Sequence, residues 1–596
     1  MSAGAGVTLR AAVLRGIAAS SGVGVGLALI IRAEAPDSQS APGDANPETE
    51  WMRFLAAVEL SRQDLLRAQG ELRGLVDEAA AEMLDAYLLM HEDPALLGAV
   101  EAEIRVAKRE ANLAVAGVID TIANRVARGT DSYLRERARD VRHVGDHILR
   151  HLEGRESQVD SSLREGEPRI VIARDLSPAD AVGLLSQGVA GLATQLGSPA
   201  SHTALLARTL AIPAIVAVPE LLVNVAGGVP LILDGFQGDL RLNPTEDAAE
   251  QARTRQRRFV AFRERLKTHD DGMAKSQDGT QVGIWANLEL AEEVSLASAA
   301  GVAGIGLFRS EFLYLEKRQP PTEEEQATVY RELVRAMAPR PVHLRTVDIG
   351  GEKLIGGGLR VAPPNPALGL RGIRLSLRTQ DGLFQPQLRA MLKAASEGSL
   401  RILFPMVTDV TEFQRGRDAV ERAISELRDQ GVEVPTVLVG AMVEVPSAAL
   451  GAAALARAAD FLSVGSNDLT QYVMAADRAN PAVAEYASVL HPAVLRLIRG
   501  VVEAADQHDT PVSLCGDMAA DPIGLPVALG LGFRALSVSA PVAALAHEIV
   551  SRVNVSEATA LVEECLELQD AAQVRAHALR GLGAALGSIW SECGLD

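Results

Sequence analysis

The segment Ser201-His202-Thr203-Ala204-Leu205-Leu206-Ala207-Arg208 follows a loop of small residues, Gly197-Ser198-Pro199-Ala200. The pattern puts a histidine at the start of a short helix, where free backbone N–H groups and the positive end of the helix dipole favour an anion. An imidazole there suits a nucleophile whose phosphorylated form is stabilised by its surroundings. The plain alternative is a polar residue at a helix start, and the rest of the chain decides between the two. Glu444 closes the apolar run 439–443, and Asp468 follows Ser463-Val464-Gly465-Ser466-Asn467. Two carboxylates at neighbouring strand ends suit Mg²⁺, which takes one or two carboxylates together with substrate oxygens and water; a pair of helix caps is the alternative. Arg309, Arg345, Arg371, Arg374 and Arg478 stand opposite them, and arginine is the bidentate partner of phosphate and carboxylate. The implied ligand carries both phosphate and carboxylate and chelates a divalent cation. Cys515 ends a further apolar run and is read as a proton donor, against simple packing of a buried thiol.

These residues need a frame. Beyond about residue 273, eight short apolar runs alternate with helical stretches: 282–287, 304–308, 342–347, 401–406, 437–443, 461–465, 511–514 and 535–538. Eight buried strands alternating with helices predict a (β/α)8 TIM barrel, whose chemistry gathers at the C-terminal ends of the strands. The runs end in Arg309-Ser310-Glu311, Asp348, Glu444, Asn467-Asp468 and Cys515-Gly516-Asp517, which puts the polar residues at that mouth.

The first half reads differently. Residues 8–32 alternate apolar and small residues, with Gly22, Gly24 and Gly26 at a spacing that calls for close backbone packing. A polar linker occupies 34–50, and 51–154 is helical throughout, with Asp93-Pro94 as a helix start and a bundle seam at Leu134, Ala138, Val141, Gly145, Ile148 and Leu152. His143, His147 and His151 recur every four residues; two could bind a metal, but a solvated polar face accounts for them better. Strands at 170–173, 214–217 and 231–233 make an α/β body into which the helical stretch is inserted. Pro244-Thr245-Glu246-Asp247 opens a charged connector helix reaching about Lys267.

Composition sets limits. The 596 residues are 48% hydrophobic and only 3% aromatic, with a net charge of −19. That is a globular chain of about three to five domains, and its acidity argues against a nucleic-acid partner. Three scattered cysteines make neither a disulfide framework nor a zinc site. No run approaches the roughly 18 apolar residues of a membrane span, and no signal peptide is read, so the expectation is a cytoplasmic protein without membrane insertion.

The motifs Ser201-His202-Thr203-Ala204, Gly304-Ile305-Gly306-Leu307-Phe308-Arg309-Ser310-Glu311-Phe312, Arg345-Thr346-Val347-Asp348-Ile349-Gly350-Gly351-Glu352-Lys353, Asn365-Pro366 through Arg371, Met442-Val443-Glu444-Val445-Pro446, Gly465-Ser466-Asn467-Asp468-Leu469-Thr470-Gln471-Tyr472 and Cys515-Gly516-Asp517 occur in one order over nearly the whole chain. In this the chain resembles enzyme I of the bacterial phosphotransferase system, the phosphoenolpyruvate-protein phosphotransferases. The resemblance implies that His202 accepts the phosphoryl group of phosphoenolpyruvate, releasing pyruvate, and passes it to the histidine phosphocarrier protein HPr, the first step of sugar phosphotransfer. It implies Mg²⁺ on Glu444 and Asp468, substrate binding by Arg309, Arg345, Arg371, Asn467, Asp468 and Arg478, and protonation of the enolate by Cys515. It further implies a homodimer formed through the barrel and no nucleotide. The expected fold is multidomain α/β: the first part of a swivelling phosphohistidine domain (1–33), an inserted helical carrier-binding bundle (34–154), the rest of the phosphohistidine domain (155–244), a connector helix (245–272) and the TIM barrel (273–596). The chain departs from the family pattern at Gly197-Ser198-Pro199-Ala200, where Gly-Gly-Arg-Thr is usual, at Tyr87, where histidine is common, and at Asp517, where glutamate is common. Two alternatives are a dikinase or synthase relative lacking its nucleotide domain, and a regulatory phosphoprotein with weakened catalysis.

Overall fold

The structure is a computed structural model. It describes residues 12–31, 46–75, 84–127, 132–154, 167–185, 189–197, 202–266, 272–315, 320–350, 365–477, 483 and 486–592. The chain divides mainly into two compact units, Met1–Phe262 and Arg263–Ser591. Among the described residues no helix is long and apolar enough to cross a membrane.

The first unit is built on an eight-stranded sheet. Its strands are β1 (Val13–Arg15), β2 (Ile17–Ser20), β3 (Val23–Ile31), β4 (Arg169–Ala173), β5 (Gly191–Thr194), β6 (Ala214–Val216), β7 (Pro230–Asp234) and β8 (Asp239–Leu242), in the order β1-β8-β7-β3-β4-β5-β6-β2. β3, β4, β5 and β6 run parallel, and β7 and β8 return antiparallel. The glycine spacing in β3 has a steric cause: a Cβ on Gly24 would lie 2.3 Å from the Ala190 carbonyl oxygen, and one on Gly26 2.5 Å from that of Pro168.

Among the described residues, five helices come between β3 and β4: α1 (Pro47–Leu75), α2 (Asp85–His91), α3 (Pro94–Arg105), α4 (Ala111–Ala127) and α5 (Ser132–Leu152). α1 opens inside the stretch read as linker, with Pro47 in its first turn and Glu48 and Glu50 facing the helix dipole. Gly145 is where α5 meets α4 closely: a Cβ there would sit 2.6 Å from Ile119. In the sheet body, α6 (Pro178–Leu185) follows β4 and α7 (His202–Thr209) precedes β6. The hydrophobic core of the bundle, including Val115, Val144 and Ile148, continues into Ala181 and Val182 of α6 and Leu206 of α7. The short α8 (Leu221–Asn224) precedes β7, and the charged α9 (Glu246–Arg265) follows β8.

The histidines of α5 correct the reading of a solvated face. His147 is buried, with 8% of its side chain exposed, and Asp175, Asp180 and Asp64 supply the partners that the helix itself lacks. Among the described residues no three His, Cys, Asp or Glu side chains form a metal cluster.

The second unit is the barrel. β10 (Gln281–Leu288), β11 (Ile305–Arg309), β12 (Val342–Arg345), β13 (Leu400–Phe404), β14 (Leu438–Val443), β15 (Phe461–Gly465), β16 (Val512–Cys515) and β17 (Ala535–Ser539) pair in parallel, and β17 closes on β10. Strands covered on both faces read as continuous apolar runs, which is why all eight were legible. An additional strand, β9 (Met273–Lys275), pairs antiparallel with β10. Toward the N-terminal end of the strands, the His343 ring lies between Trp285 and Phe461, with centroids 5.1 and 4.7 Å away, and Arg401 lies 3.3 Å from its Nε2. Burial, reinforced by the Arg401 charge, pushes the His343 pKa down to about 3.

Candidate active site at the barrel mouth

The C-terminal strand ends supply the functional groups in turn. β11 ends on Arg309 and β12 on Arg345, Glu444 follows β14, and β15 runs into the helix Ser466–Met474, whose first turn carries Asn467 and Asp468. β16 ends on Cys515. Arg371 comes from the segment before the helix Gly372–Arg378.

Asp348 is the hub of this mouth. It accepts two hydrogen bonds from Arg371, Nε to Oδ1 at 3.1 Å and Nη2 to Oδ2 at 2.9 Å, and its Oδ2 lies 3.3 Å from Arg345 Nη1. Arg345 also pairs with Glu311, and Arg309 with Glu289 at 2.7 Å. Arg371 Nη1 reaches Asp468 at 3.5 Å and donates to the Tyr472 hydroxyl at 3.2 Å. The Glu444 carboxylate accepts the backbone N–H of Met406 at 2.6 Å, from a residue held in the left-handed region at φ +58°. On the far side, Gly516 (φ +97°) allows the backbone to pass directly over Ser466 and Asn467. Ser466 Oγ donates to the Cys515 carbonyl at 2.9 Å, and the Asp517 N–H donates to Asn467 Oδ1 at 2.8 Å.

The charges do not balance. Arg309 and Glu289 cancel, which leaves the guanidiniums of Arg345 and Arg371 against the carboxylates of Glu311, Asp348, Glu444 and Asp468. Among the described residues, and with all four carboxylates ionised, that would be two negative charges in surplus in a buried place. Burial, with the charges of Asp468 and Asp348 beside it, accordingly pushes the Glu444 pKa up to about 8. Burial also raises Glu311, whereas for Asp348 the opposing charges of Arg345 and Arg371 outweigh burial and hold it below the ordinary carboxylate value. A divalent cation would offset that negative charge, and one or two carboxylates suit a hard ion that retains substrate and water oxygens. Cys515 is buried, its Sγ donates to the Val464 carbonyl at 3.3 Å, and burial lifts its pKa to about 11, so it carries a proton at neutral pH.

Models described as PEP-utilising enzyme, N-terminal, PEP-utilising enzyme, mobile domain, and PEP-utilising enzyme, PEP-binding domain match residues 15–137, 165–238 and 263–555. A phosphoenolpyruvate-protein phosphotransferase of Bacillus sp. (strain S) is 36% identical over 571 residues, covering 96% of this chain and 98% of the relative. The chain belongs to the phosphoenolpyruvate-protein phosphotransferase family. A family member from Listeria innocua serovar 6a is 34% identical over 562 residues, 94% of this chain and 98% of its own. A multiphosphoryl transfer protein of Xanthomonas campestris pv. campestris is 39% identical over 572 residues; these cover 94% of this chain and 66% of that longer protein.

Against this family frame, the structure gathers Arg309, Arg345, Arg371, Glu444, Asn467, Asp468 and Cys515 at one mouth. It does not bring in Arg374, which is half-exposed and lies 3.4 Å from Glu412. Arg478, residues 198–201 and Gly351-Glu352-Lys353 lie outside the described residues. His202 is the first residue of α7 in the other unit. Tyr87, one of the departures, donates to Asp140 at 2.5 Å inside the bundle. In the sequence Glu311 and Asp348 are polar strand ends and no more; their clamping of the arginines depends on contacts that no spacing shows. The Met406 N–H carried no signal at all, because a left-handed methionine has no sequence signature.

Proposed function

We infer that this chain transfers the phosphoryl group of phosphoenolpyruvate to a nitrogen of His202, releases pyruvate, and then hands the group to HPr. The support that weighs most is that, among the described residues, four carboxylates crowd two clamped guanidiniums closely enough to raise Glu444 to about 8, with a protonated thiol at the same mouth. Arg309, Arg345, Arg371 and Arg478 would hold the phosphate and carboxylate, with Asn467 and Asp468 completing the pocket. Glu444 and Asp468 would hold Mg²⁺, which when bound neutralises charge on the phosphoryl and enolate oxygens. The neutral imidazole of His202 attacks phosphorus, the P–O bond to the enolate breaks, and Cys515 gives its proton to the enolate carbon to form pyruvate. The thiol suits that role because burial keeps it protonated.

The proposed organisation is a phosphohistidine domain in two parts (1–33 and 155–244), a carrier-binding bundle (34–154), a connector (245–272) and a barrel (273–596) that also forms a homodimer. The proposed setting is the cytoplasm, at the first step of sugar phosphotransfer. Pyruvate release from phosphoenolpyruvate, followed with Mg²⁺ or with EDTA and with or without added HPr, tests this reading. Mg²⁺-dependent turnover that continues only while HPr is present is the expected result. Turnover without HPr to accept the group, or none with it, contradicts the reading.

A further inference from the structure

One face of α5 carries His143, His147 and Arg150, at i, i+4 and i+7, and all three reach residues 175–180, the approach to α6 and its first turn. His143 Nε2 lies 3.4 Å from Asp175 Oδ2. His147 Nε2 lies 3.2 Å from Ser177 Oγ and 3.5 Å from Asp180 Oδ1. Arg150 donates to both oxygens of Asp180, at 2.8 and 3.0 Å. Counting protons fixes the direction of these bonds. The single hydroxyl proton of Ser177 goes to Asp180 Oδ2 at 2.8 Å, and Ser177 Oγ accepts the Asp180 backbone N–H at 3.1 Å. His147 Nε2 must therefore be the donor. Burial would raise the Asp180 pKa, but His147 and Arg150 bring it well below the usual value, so the clasp is ionic as well as hydrogen-bonded.

Between the clasped residues sits Leu176, buried, whose carbonyl accepts the Thr203 hydroxyl at 3.0 Å. Thr203 directly follows His202 in the first turn of α7. The backbone of residues 175–177 thus joins the clasp on α5 to the turn that bears His202. The apolar contacts of Val182 and Leu206 with the bundle core run alongside it.

We propose that His143, His147 and Arg150 are positioning residues of the phosphoryl transfer: acting through Asp175, Asp180 and the Leu176 carbonyl, they fix the turn of α7 that carries His202. The proposal rests on His202 being the acceptor. None of the three touches substrate. Their effect is on the precision with which the acceptor nitrogen is presented, and a displacement of about 1 Å at a reacting centre can cost on the order of 100-fold in rate.

The test uses the full chain carrying Thr203→Val, Thr203→Ser or His147→Leu, assayed for pyruvate release with HPr while phosphoenolpyruvate is varied. Thr203→Val keeps the shape and removes the hydroxyl, and Thr203→Ser keeps the hydroxyl. In Thr203→Val and His147→Leu, kcat should fall by roughly ten-fold. The KM for phosphoenolpyruvate, set by the other unit, should stay where it is, and Thr203→Ser should recover the rate. Hydrogen exchange at 202–209 should quicken in the two slow variants, while the barrel strands keep their protection. Wild-type kcat in both variants, an equal loss in Thr203→Ser, or exchange that quickens across the whole chain would overturn the proposal. A His202→Ala control separates the two ideas: retained transfer there defeats the acceptor reading, whereas an inactive control beside fully active Thr203→Val and His147→Leu defeats only the clasp.

Discussion

Gly516→Ala is the sharpest perturbation of the barrel mouth. Gly516 has φ +97° and ψ −176°, a region that residues with a side chain hardly enter, at a cost of about 1–3 kcal/mol. A Cβ there would lie 2.4 Å from Ser466 Oγ and 2.6 Å from Asn467 Oδ1. Both separations are about 1 Å short of normal contact, and both atoms belong to the site. Ser466 Oγ would have to release the Cys515 carbonyl, and Asn467 the Asp517 N–H. Overpacking adds about another 1–3 kcal/mol, so the variant should lose a few kcal/mol of stability. Turnover should fall further, on the order of 100-fold, because a displacement of that size misplaces the reacting groups. The assay is steady-state pyruvate release at saturating phosphoenolpyruvate, below the unfolding transition. Gly532→Ala is the control: φ is +111° and its Cβ would meet Val502 at 2.8 Å, so it carries comparable strain with no site atom nearby. Turnover of Gly516→Ala within about three-fold of wild type, or an equal loss in Gly532→Ala, would show that contact with Ser466 and Asn467 does not set the site's geometry.

Further outcomes follow from the same geometry. Glu444→Gln and Asp468→Asn should each remove most turnover and weaken Mn²⁺ binding followed by electron paramagnetic resonance, since each replaces a carboxylate that would hold the cation by a neutral amide. Asp348→Asn should raise the dissociation constant for phosphoenolpyruvate, measured by calorimetry, by roughly 10-fold or more, because a bidentate charged pair to Arg371 is lost. His343 titrates below its ordinary 6.5, at about 3, so the unfolded chain takes up its proton first as the pH falls. The stability it confers is present above 6.5 and is lost toward 3, at up to about 1.4 kcal/mol per pH unit. His343→Phe should therefore flatten the fall in the barrel's urea midpoint between neutral pH and about pH 4; a fall as steep as in wild type would count against it.

Legibility in the sequence followed the range of the interaction. The barrel strands could be read because burial on both faces leaves continuous apolar runs, and the polar residues closing those runs located the mouth. β12 ends earlier than read, at Arg345, because the Val347 N–H turns to the Gln387 side chain at 3.0 Å. β5 and β8 escaped notice, being four residues each and broken by glycine or charge. The histidines of α5 looked solvated because their partners lie 32, 33 and 87 positions away in sequence, beyond any spacing rule. Arg374 looked equivalent to Arg371, yet three residues further along the helix it faces Glu412 instead.

Everything proposed above depends on His202 taking the phosphoryl group of phosphoenolpyruvate. The purified chain and its His202→Ala variant, each mixed with Mg²⁺ and phosphoenolpyruvate labelled with ³²P in the phosphoryl group, test it most directly when the acid-labile label is mapped by peptide. Label is expected on the wild-type peptide containing His202, at about one phosphoryl group per chain as for a single covalent acceptor, and none on the variant. Label on any other histidine, or undiminished label on the variant, would contradict it.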